Sequence, residues 1–406
     1  MAGDSGDDLS DLIGPELAAE LRTDEETITG QPSGNPAYLG SGAGGAGTAT
    51  GAGELGPSNL MNPALSLVAT FGAAYFTDDR HVPRSGPVPD STGVHFLEAE
   101  LGLEAAVDPY FYLKGFFALG ADDFETEEVF AETLRLPGGL KFRAGQFLTA
   151  FGRSNPTHAH VWEFIDAPLT RERFFSGEGL RSPGLEASWL TPLPFYLKLV
   201  AAASMADVPA PGSTPDEATF GKDRDYDFLY SARLESFIPL SDTWSLVLGA
   251  SAVTGPSGQG AGDRSDVFGG DAFLRYKPTS GDDHFEFKLT AEGDFRRRQF
   301  PGNRLTDWAA YLEASFRLAQ QWRVALRGDA DEGDLTRGDT LTGPARDLGE
   351  ERGALSVTFF PTEFSLLRLQ GNLSHPHGDA WDGPEWVGEF YLEAMFALGA
   401  HGAHPF

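Results

Sequence analysis

Two pairs of histidines, each with one residue between its members, are the side chains best suited to bind a metal ion. His158 and His160 lie in one long segment without a strand pattern, and His375 and His377 lie in another, followed by Asp379. Imidazole and carboxylate groups suit zinc, copper or nickel, and a His-x-His spacing can bring two ligands to one face. These five residues give a hypothesis of Zn²⁺ capture, with solvated loop histidines as the alternative.

A second group of candidate residues lies in the segment 149–183, the longest connection between predicted strands. This segment is dense in aromatic and aliphatic residues for an exposed loop. A long loop of this kind is expected to fold inward and constrict a channel, with a lid packed over the rim as the alternative. If it folds inward, five charged residues lie near the narrowest point: Glu163, Asp166, Arg171, Glu172 and Arg173.

The elements that must position these residues are β-strands. From residue 63 to the end, about sixteen runs alternate apolar and polar residues with a period of two. Short connections rich in Pro, Gly, Asp and Ser alternate with long ones, the pattern of a membrane-spanning β-barrel. The polar faces carry acids and bases in nearly equal number, so the wall is not expected to filter one sign of charge. The inward-facing charges that we expect to line the pore are Arg143, Glu286, Lys288, Glu292, Arg317, Arg323 and Arg327.

The predicted fold is an all-β, transmembrane, antiparallel up-and-down barrel of about 16 strands. Closure is expected because an open sheet edge cannot lie in hydrocarbon with unpaired amides. A barrel of this size is wide enough for an aqueous channel. A water-soluble sandwich is the alternative, but it has no reason to keep alternating short and long connections over so many strands.

Composition limits the classes of function. The formal net charge of -30 makes nucleic acid an unfavourable partner. The mean hydropathy of -0.25, without a long apolar run, argues against a helical membrane protein. No nucleophile motif, phosphate-binding loop or paired-carboxylate signature is found, so the sequence does not predict an enzyme.

Residues 1–60 are predicted to form a separate region before the barrel of residues 61–406. This region is strongly acidic, and its first third has rough helical spacing of apolar residues. Residues 30–57 have the Gly-rich composition of a flexible linker. Two interpretations stay open for residues 1–60: a disordered tail, or a short helix that plugs the barrel or binds an envelope partner.

Several segments resemble a known family. The run 136–147 (LPGGLKFRAGQF) resembles Gram-negative outer-membrane porin-like barrels of the phosphate-selective porin type. The runs 155–169 (NPTHAHVWEFIDAPL), 188–194 and 399–406 are similar to a group labelled zinc-regulated outer-membrane proteins. The resemblance implies an outer-membrane location with both termini in the periplasm. The final residue, Phe406, resembles the signal that the barrel-assembly machinery reads during biogenesis.

We therefore expect an outer-membrane channel for passive or gated diffusion of small hydrophilic solutes. Divalent metal cations are the sharper hypothesis for the solute, and loop 149–183 is the expected constriction. The alternative is a closed barrel that serves as a receptor or as a structural scaffold of the outer membrane. The expected partners are outer-membrane lipid, the solute or cation, and an envelope component bound by residues 1–60.

Overall fold

A closed antiparallel barrel of 16 strands accounts for nearly all of the described chain. The computed structural model describes residues 63–80, 84, 86–121, 124–175, 177–206, 219–222, 224–258, 261–279, 284–301, 303–335, 346–379 and 381–399. The predicted helix and linker of residues 1–60, and the terminal Phe406, lie outside the described residues. Each strand pairs with its neighbour in sequence, and β1 pairs with β16 to close the barrel. The predicted fold class is confirmed.

All sixteen predicted strands are present. Their bounds are β1 Ala64–Phe76, β2 Gly93–Ala106, β3 Phe111–Leu119, β4 Phe124–Thr133, β5 Leu140–Leu148, β6 Arg181–Leu190, β7 Tyr196–Met205, β8 Phe228–Pro239, β9 Trp244–Pro256, β10 Arg264–Tyr276, β11 Glu286–Phe300, β12 Asn303–Ala319, β13 Trp322–Leu335, β14 Arg346–Thr362, β15 Ser365–His377 and β16 Val387–Gly399. One short helix, α1 Leu169–Phe175, lies between β5 and β6.

The two faces of the wall differ as the alternation predicts. On β12 and β13, Leu312 and Leu326 are 54% and 51% exposed on the outer face. Their neighbours Tyr311 and Arg327 are buried on the lumen side. Apolar side chains cover the outer face of the wall and charged side chains cover the inner face. The outer face is therefore suited to contact lipid, and the inner face to contact water or polar protein groups.

The predicted bounds of the long connections differ from the structure most clearly at three places. The gap predicted at 298–306 is only residues 301–302, because β11 and β12 continue to Phe300 and from Asn303. The gap predicted at 333–348 is shortened to 336–345. The gap predicted at 375–383 keeps its length but is shifted to 378–386, so that His375 and His377 belong to β15. At the end of β11, Arg297 and Arg298 put charge on both faces, so this strand end lacks the apolar alternation of the rest of the strand.

The loop between β5 and β6 is the main element inside the barrel. Its side chains Phe151, Phe174, Phe175 and Leu180 form the largest buried apolar cluster with wall residues of β8, β9, β10 and β12. Burying aromatic rings against the wall stabilises the loop inside the lumen rather than over the rim. Among the described residues no helix is long and apolar enough to cross a membrane.

Candidate functional site

Glu292 on the wall fixes the first turn of the loop. Its carboxylate accepts hydrogen bonds from the backbone N–H groups of Arg153 and Ser154, at 2.9 and 3.0 Å, and from the Ser154 hydroxyl at 3.1 Å. Gly152 has φ of 56°, and a Cβ there would lie 2.0 Å from Glu292 Oε1. Only glycine combines this backbone conformation with so close an approach. Glu292, predicted to line the pore, therefore anchors the loop.

Asn155 and Arg171 hold the loop together from within. The Asn155 side chain donates to the carbonyls of Thr149 and Leu180 and accepts from the Leu180 N–H, closing the base of the loop. The Arg171 guanidinium donates to four backbone carbonyls within the loop, among them Ser154 at 2.8 Å and Gly177 at 2.9 Å. Burial lowers the pKa of Arg171 to about 10. Its role is to organise the loop.

Glu163 binds the bases of β11 and β13. Its carboxylate lies 3.0 Å from Arg323 Nη1 and 3.2 Å from Lys288 Nζ. Burial alone would raise the pKa of Glu163, but Arg323 and Lys288 outweigh burial and lower the pKa to about 2. Arg323 also lies 3.6 Å from Glu286. The structure thus brings together four of the predicted pore-lining charges.

Asp166 is the most enclosed of the loop acids. It is fully buried, at 3.0 Å from Arg327 Nη2 and 2.9 Å from Arg352 Nη1. The side-chain amides of Gln370 and Asn372 donate to the same carboxylate at 2.6 and 3.1 Å. These groups outweigh the burial that would raise the pKa of Asp166 and hold it below its usual range. A charge this deep requires such partners.

The charges of α1 extend this network across the lumen. Arg173 contacts Asp331 at 2.6 Å and Asp307 at 3.2 Å. Glu172 lies 3.5 Å from Arg84, in the first long connection, and 3.7 Å from Arg352. Burial and the neighbouring carboxylates raise the pKa of Glu172 to about 8, despite those two arginines.

His158 reaches the opposite wall, where it meets a group of carboxylates. Its Nδ1 lies 3.0 Å from Glu100 and 3.2 Å from Glu127, and its Nε2 lies 2.9 Å from Glu128. His160 Nδ1 lies 3.2 Å from Glu100. Burial would lower the pKa of His158, but the carboxylates outweigh it and raise the pKa well above its usual range. With both ring nitrogens facing carboxylates, the ring is an imidazolium.

The second histidine pair is elsewhere. His375 and His377 are on the outer face of β15, where both approach Glu351, at 3.1 and 3.2 Å. His375 also stacks on Trp386, with ring centroids 4.7 Å apart. The structure therefore divides the predicted five-residue metal set into one lumen cluster and one outer cluster, because the loop carries His158 and His160 into the lumen whereas His375 and His377 occupy outward-facing positions of β15. Asp379 belongs to neither metal-compatible group among the described residues.

The two remaining predicted pore residues lie away from the loop charges. Arg143 on β5 pairs with Glu186 at 2.8 Å and stacks over Phe147. Arg317 on β12 donates to the Gln320 carbonyl at 2.6 Å, beside the short turn.

Several residues that complete the network were missed by the sequence reasoning. They are Arg84, Arg352, Gln370, Asn372 and Glu389, whose side chains contact one another or Asp166. For the strand residues the signal was available, because each follows the period of two onto the lumen face. Arg84 had no such signal, since it lies in a loop.

A cavity of about 90 Å³ remains between the loop and β10–β13. The loop contributes Glu163, Asp166 and Trp162 to its lining, and the wall contributes Lys288 and Arg327. Two of the predicted constriction residues, Glu163 and Asp166, thus border open space in the described lumen.

Comparisons with known proteins support the fold. No family model matches the chain. A relative from Aquifex aeolicus (strain VF5), described as "Uncharacterized protein", is 28% identical over 347 residues, covering 79% of this chain and 72% of the relative. This relative carries no functional information.

Solved structures with the same architecture are outer-membrane proteins. The outer membrane channel DcaP of Acinetobacter baumannii has a TM-score of 0.53 at 13% identity, covering 83% of this chain and 97% of its own. The anion-selective porin from Comamonas acidovorans has a TM-score of 0.52 at 11% identity, covering 83% and 99%. Pseudomonas putida OprB has a TM-score of 0.54 at 9% identity, covering 83% and 94%. At these identities the likeness establishes the barrel architecture alone.

Proposed function

We propose that this protein is an outer-membrane channel for small hydrophilic solutes. The observation that carries the proposal is a closed 16-strand barrel with an apolar exterior and a charged lumen into which one loop folds. Structural likeness to outer-membrane channels and porins supports it. The resemblance to the phosphate-selective type and to the zinc-regulated group remains a finer proposal about subtype.

We propose further that loop 149–183 is the constriction. Ion pairs from Glu163, Asp166 and Arg173 to the wall support this role, because they fix the loop across the lumen. In channels, rings and clusters of fixed charge at the narrow point set selectivity. Solutes that pass would then meet the cavity beside Trp162.

Single-channel conductance in planar bilayers tests the proposal. We expect discrete openings for the wild type, and a larger conductance for Asp166→Asn, which frees the loop from Arg327 and Arg352. His375→Ala, on the outer face, is the matched control and should leave conductance unchanged. A barrel that inserts but stays silent in both the wild type and Asp166→Asn would favour the receptor or scaffold alternative.

A second candidate function is transport or sensing of divalent metal cations. Glu100, His158 and His160 support it, because one ligand atom from each lies within 4.8 Å of the others. Two imidazoles and a carboxylate form a suitable donor set for Zn²⁺. A bound ion would replace the proton that His158 now shares with the carboxylates.

Zinc titration by calorimetry separates the two histidine clusters. We expect His158→Ala with His160→Ala to abolish the lumen binding event, while His375→Ala with His377→Ala leaves that event unchanged. Identical isotherms for the wild type and the lumen variant would end the metal proposal without affecting the channel proposal.

We also propose an orientation and partners for the barrel. Both barrel ends, at Ala64 and Gly399, lie on the side of the short connections. In outer-membrane barrels the short turns face the periplasm, so we propose a periplasmic location for both termini. We also propose an envelope partner for residues 1–60, and insertion of the barrel into outer-membrane lipid by the barrel-assembly machinery.

A further inference from the structure

The lumen cavity is lined by two ionisable groups that make no direct ion pair within the described residues. Arg153, on the loop, has no hydrogen bond or ion pair from its guanidinium to another described residue, and its guanidinium carbon lies 3.6 Å from the centre of the Phe273 ring. Glu313, on β12, has no such contact from its carboxylate within the described residues. Both side chains line the same cavity.

Every other charge that lines the cavity is paired. Glu163 is held by Arg323 and Lys288, and Asp166 is held by Arg327. The cavity therefore offers one guanidinium group and one carboxyl group that no direct ion pair engages within the described residues. Charged groups withdrawn from bulk water are costly unless a partner is present, so each is a place where a ligand charge is favoured.

The rest of the lining suits a short hydrocarbon chain. Val161, Trp162, Pro168 and Phe273 supply apolar surface, and Thr290 supplies a hydroxyl. The arrangement matches the usual composition of a small-molecule site, which is mostly apolar with a few polar groups that fix orientation. The ring of Phe273 also makes a cation–π contact with the Arg153 guanidinium, and this contact limits the motion of the guanidinium.

We infer that this cavity is a binding subsite for a small zwitterion that carries one carboxylate and one ammonium group. The carboxylate pairs with Arg153, the ammonium pairs with Glu313, and the connecting chain lies against Trp162 and Phe273. The inference rests on the proposed channel function in that it names the class of solute the channel passes. A solute with one charge satisfies only one of the two groups, so it binds less tightly.

Calorimetry on the purified full-length protein in detergent tests the subsite with a series of defined compounds. The series is glycine, 3-aminopropanoate and 4-aminobutanoate, which separate the two charges by increasing distance. Butanoate and butylammonium are the single-charge halves. We expect at least one zwitterion to bind roughly tenfold more tightly than either half.

Variants connect the binding to the two groups. Arg153→Gln and Glu313→Gln should each weaken binding of the preferred zwitterion by roughly tenfold, and Arg153→Lys should retain more affinity than Arg153→Gln. Lys141→Gln, a lumen-facing change beside Glu132, is the control and should bind as the wild type does. If Arg153→Gln does not fold, Arg153→Lys and Glu313→Gln still decide the question.

Conductance separates this inference from the proposed function. A conducting channel whose zwitterions bind no more tightly than butanoate and butylammonium overturns the inference and leaves the channel. Zwitterion binding that both variants abolish, in a barrel that does not conduct, supports the subsite and overturns the channel. Equal binding by the wild type, Arg153→Gln and Glu313→Gln overturns the inference in either case.

Discussion

The long loop meets the lumen wall on two sides, and the charges are distributed in opposite ways at the two contacts. On β2 and β4 the wall supplies carboxylates, including Glu100 and Glu128, and the loop supplies His158. On β13 and β14 the wall supplies Arg327 and Arg352, and the loop supplies Asp166. The loop thus presents a cation to the acidic side of the barrel and an anion to the basic side.

This difference shows that a wall with a nearly balanced total of inward charges can still hold the loop by local ion pairs of opposite arrangement. On β13 and β14 the acids Asp329 and Glu350 accompany the arginines, so the pairing is local at each contact. The four predictions that follow test how the loop is held, beginning with the largest expected effect.

Breaking the basic-side anchor, which is the contact of Asp166 with Arg327 and Arg352, should lower the free energy of unfolding the most. Asp166→Asn leaves Arg327 and Arg352 with one fewer carboxylate in a fully buried site. Removing one partner of such a network typically costs ~3 kcal/mol or more. We expect this loss of unfolding free energy in urea titrations of the detergent-solubilised protein. A variant as stable as the wild type would show that the loop is not held there.

Breaking the acidic-side anchor, which is the contact of His158 with Glu100, Glu127 and Glu128, should lower the free energy of unfolding by less. His158→Ala removes a residue that contacts three carboxylates at 2.9–3.2 Å. Charge-assisted hydrogen bonds of this kind contribute about 2 kcal/mol. The same urea titration measures the effect, with His375→Ala on the outer face as the control, for which we expect a change within about 0.5 kcal/mol. Equal losses for the two histidines would remove the distinction between the anchors.

Acid should abolish the contribution of Glu163. Its pKa in the folded protein is about 2, lowered from an ordinary value of 4.5. A lowered pKa means that the stabilisation is complete above the ordinary value and is lost as the pH falls through the folded value. The stability difference between the wild type and Glu163→Gln should therefore be full above pH 4.5 and vanish near pH 2. A difference independent of pH would contradict this assignment.

Glu172 should show a pH dependence of the opposite sign. Its pKa is raised from 4.5 to about 8 by burial and by Asp166 and Glu350, against Arg84 and Arg352. The folded state therefore favours the protonated acid, and stability falls as the pH rises from 4.5 to about 8. Glu172→Gln should match the wild type below this range and exceed it above. Parallel pH profiles for the two proteins would refute the raised pKa.

The fold was predictable because the side-chain period of two is a local property of the sequence. For residues such as Leu312 and Tyr311, the alternation of their immediate neighbours predicts whether the side chain is on the outer or the lumen face of the strand. The prediction was wrong at the ends of β11 and β15, where Arg297, His375 and His377 place polar groups on the outer face beyond the apolar band. These strand ends do not contact the apolar part of the membrane, so their outward-facing residues are not apolar and the alternation that predicts a strand is missing.

The site was predictable in composition but not in pairing. Glu163 and Asp166 were expected near the constriction, and Lys288, Arg323 and Arg327 were expected to line the pore. The structure brings these five residues together. Which acid meets which base depends on the strand register and on the path of the loop across the lumen. Contacts between residues so far apart in sequence leave no trace in local patterns. The separation of the two histidine pairs was hidden for the same reason.

Cysteine accessibility tests the central claim, that loop 149–183 lies inside the barrel, most directly. The chain contains no cysteine, so one introduced thiol is the only one that reacts. Ala325 faces the lumen beneath Phe164 of the loop and is 1% exposed, whereas Ser188 is half-buried on the lumen face of β6.

We expect a water-soluble thiol reagent to label Ser188→Cys rapidly and Ala325→Cys on the order of 100-fold more slowly, since labelling of a covered site requires the loop to open. Adding Asp166→Asn should accelerate labelling at position 325. If Ala325→Cys reacts as quickly as Ser188→Cys with the loop intact, the loop does not occupy the lumen and the account is wrong.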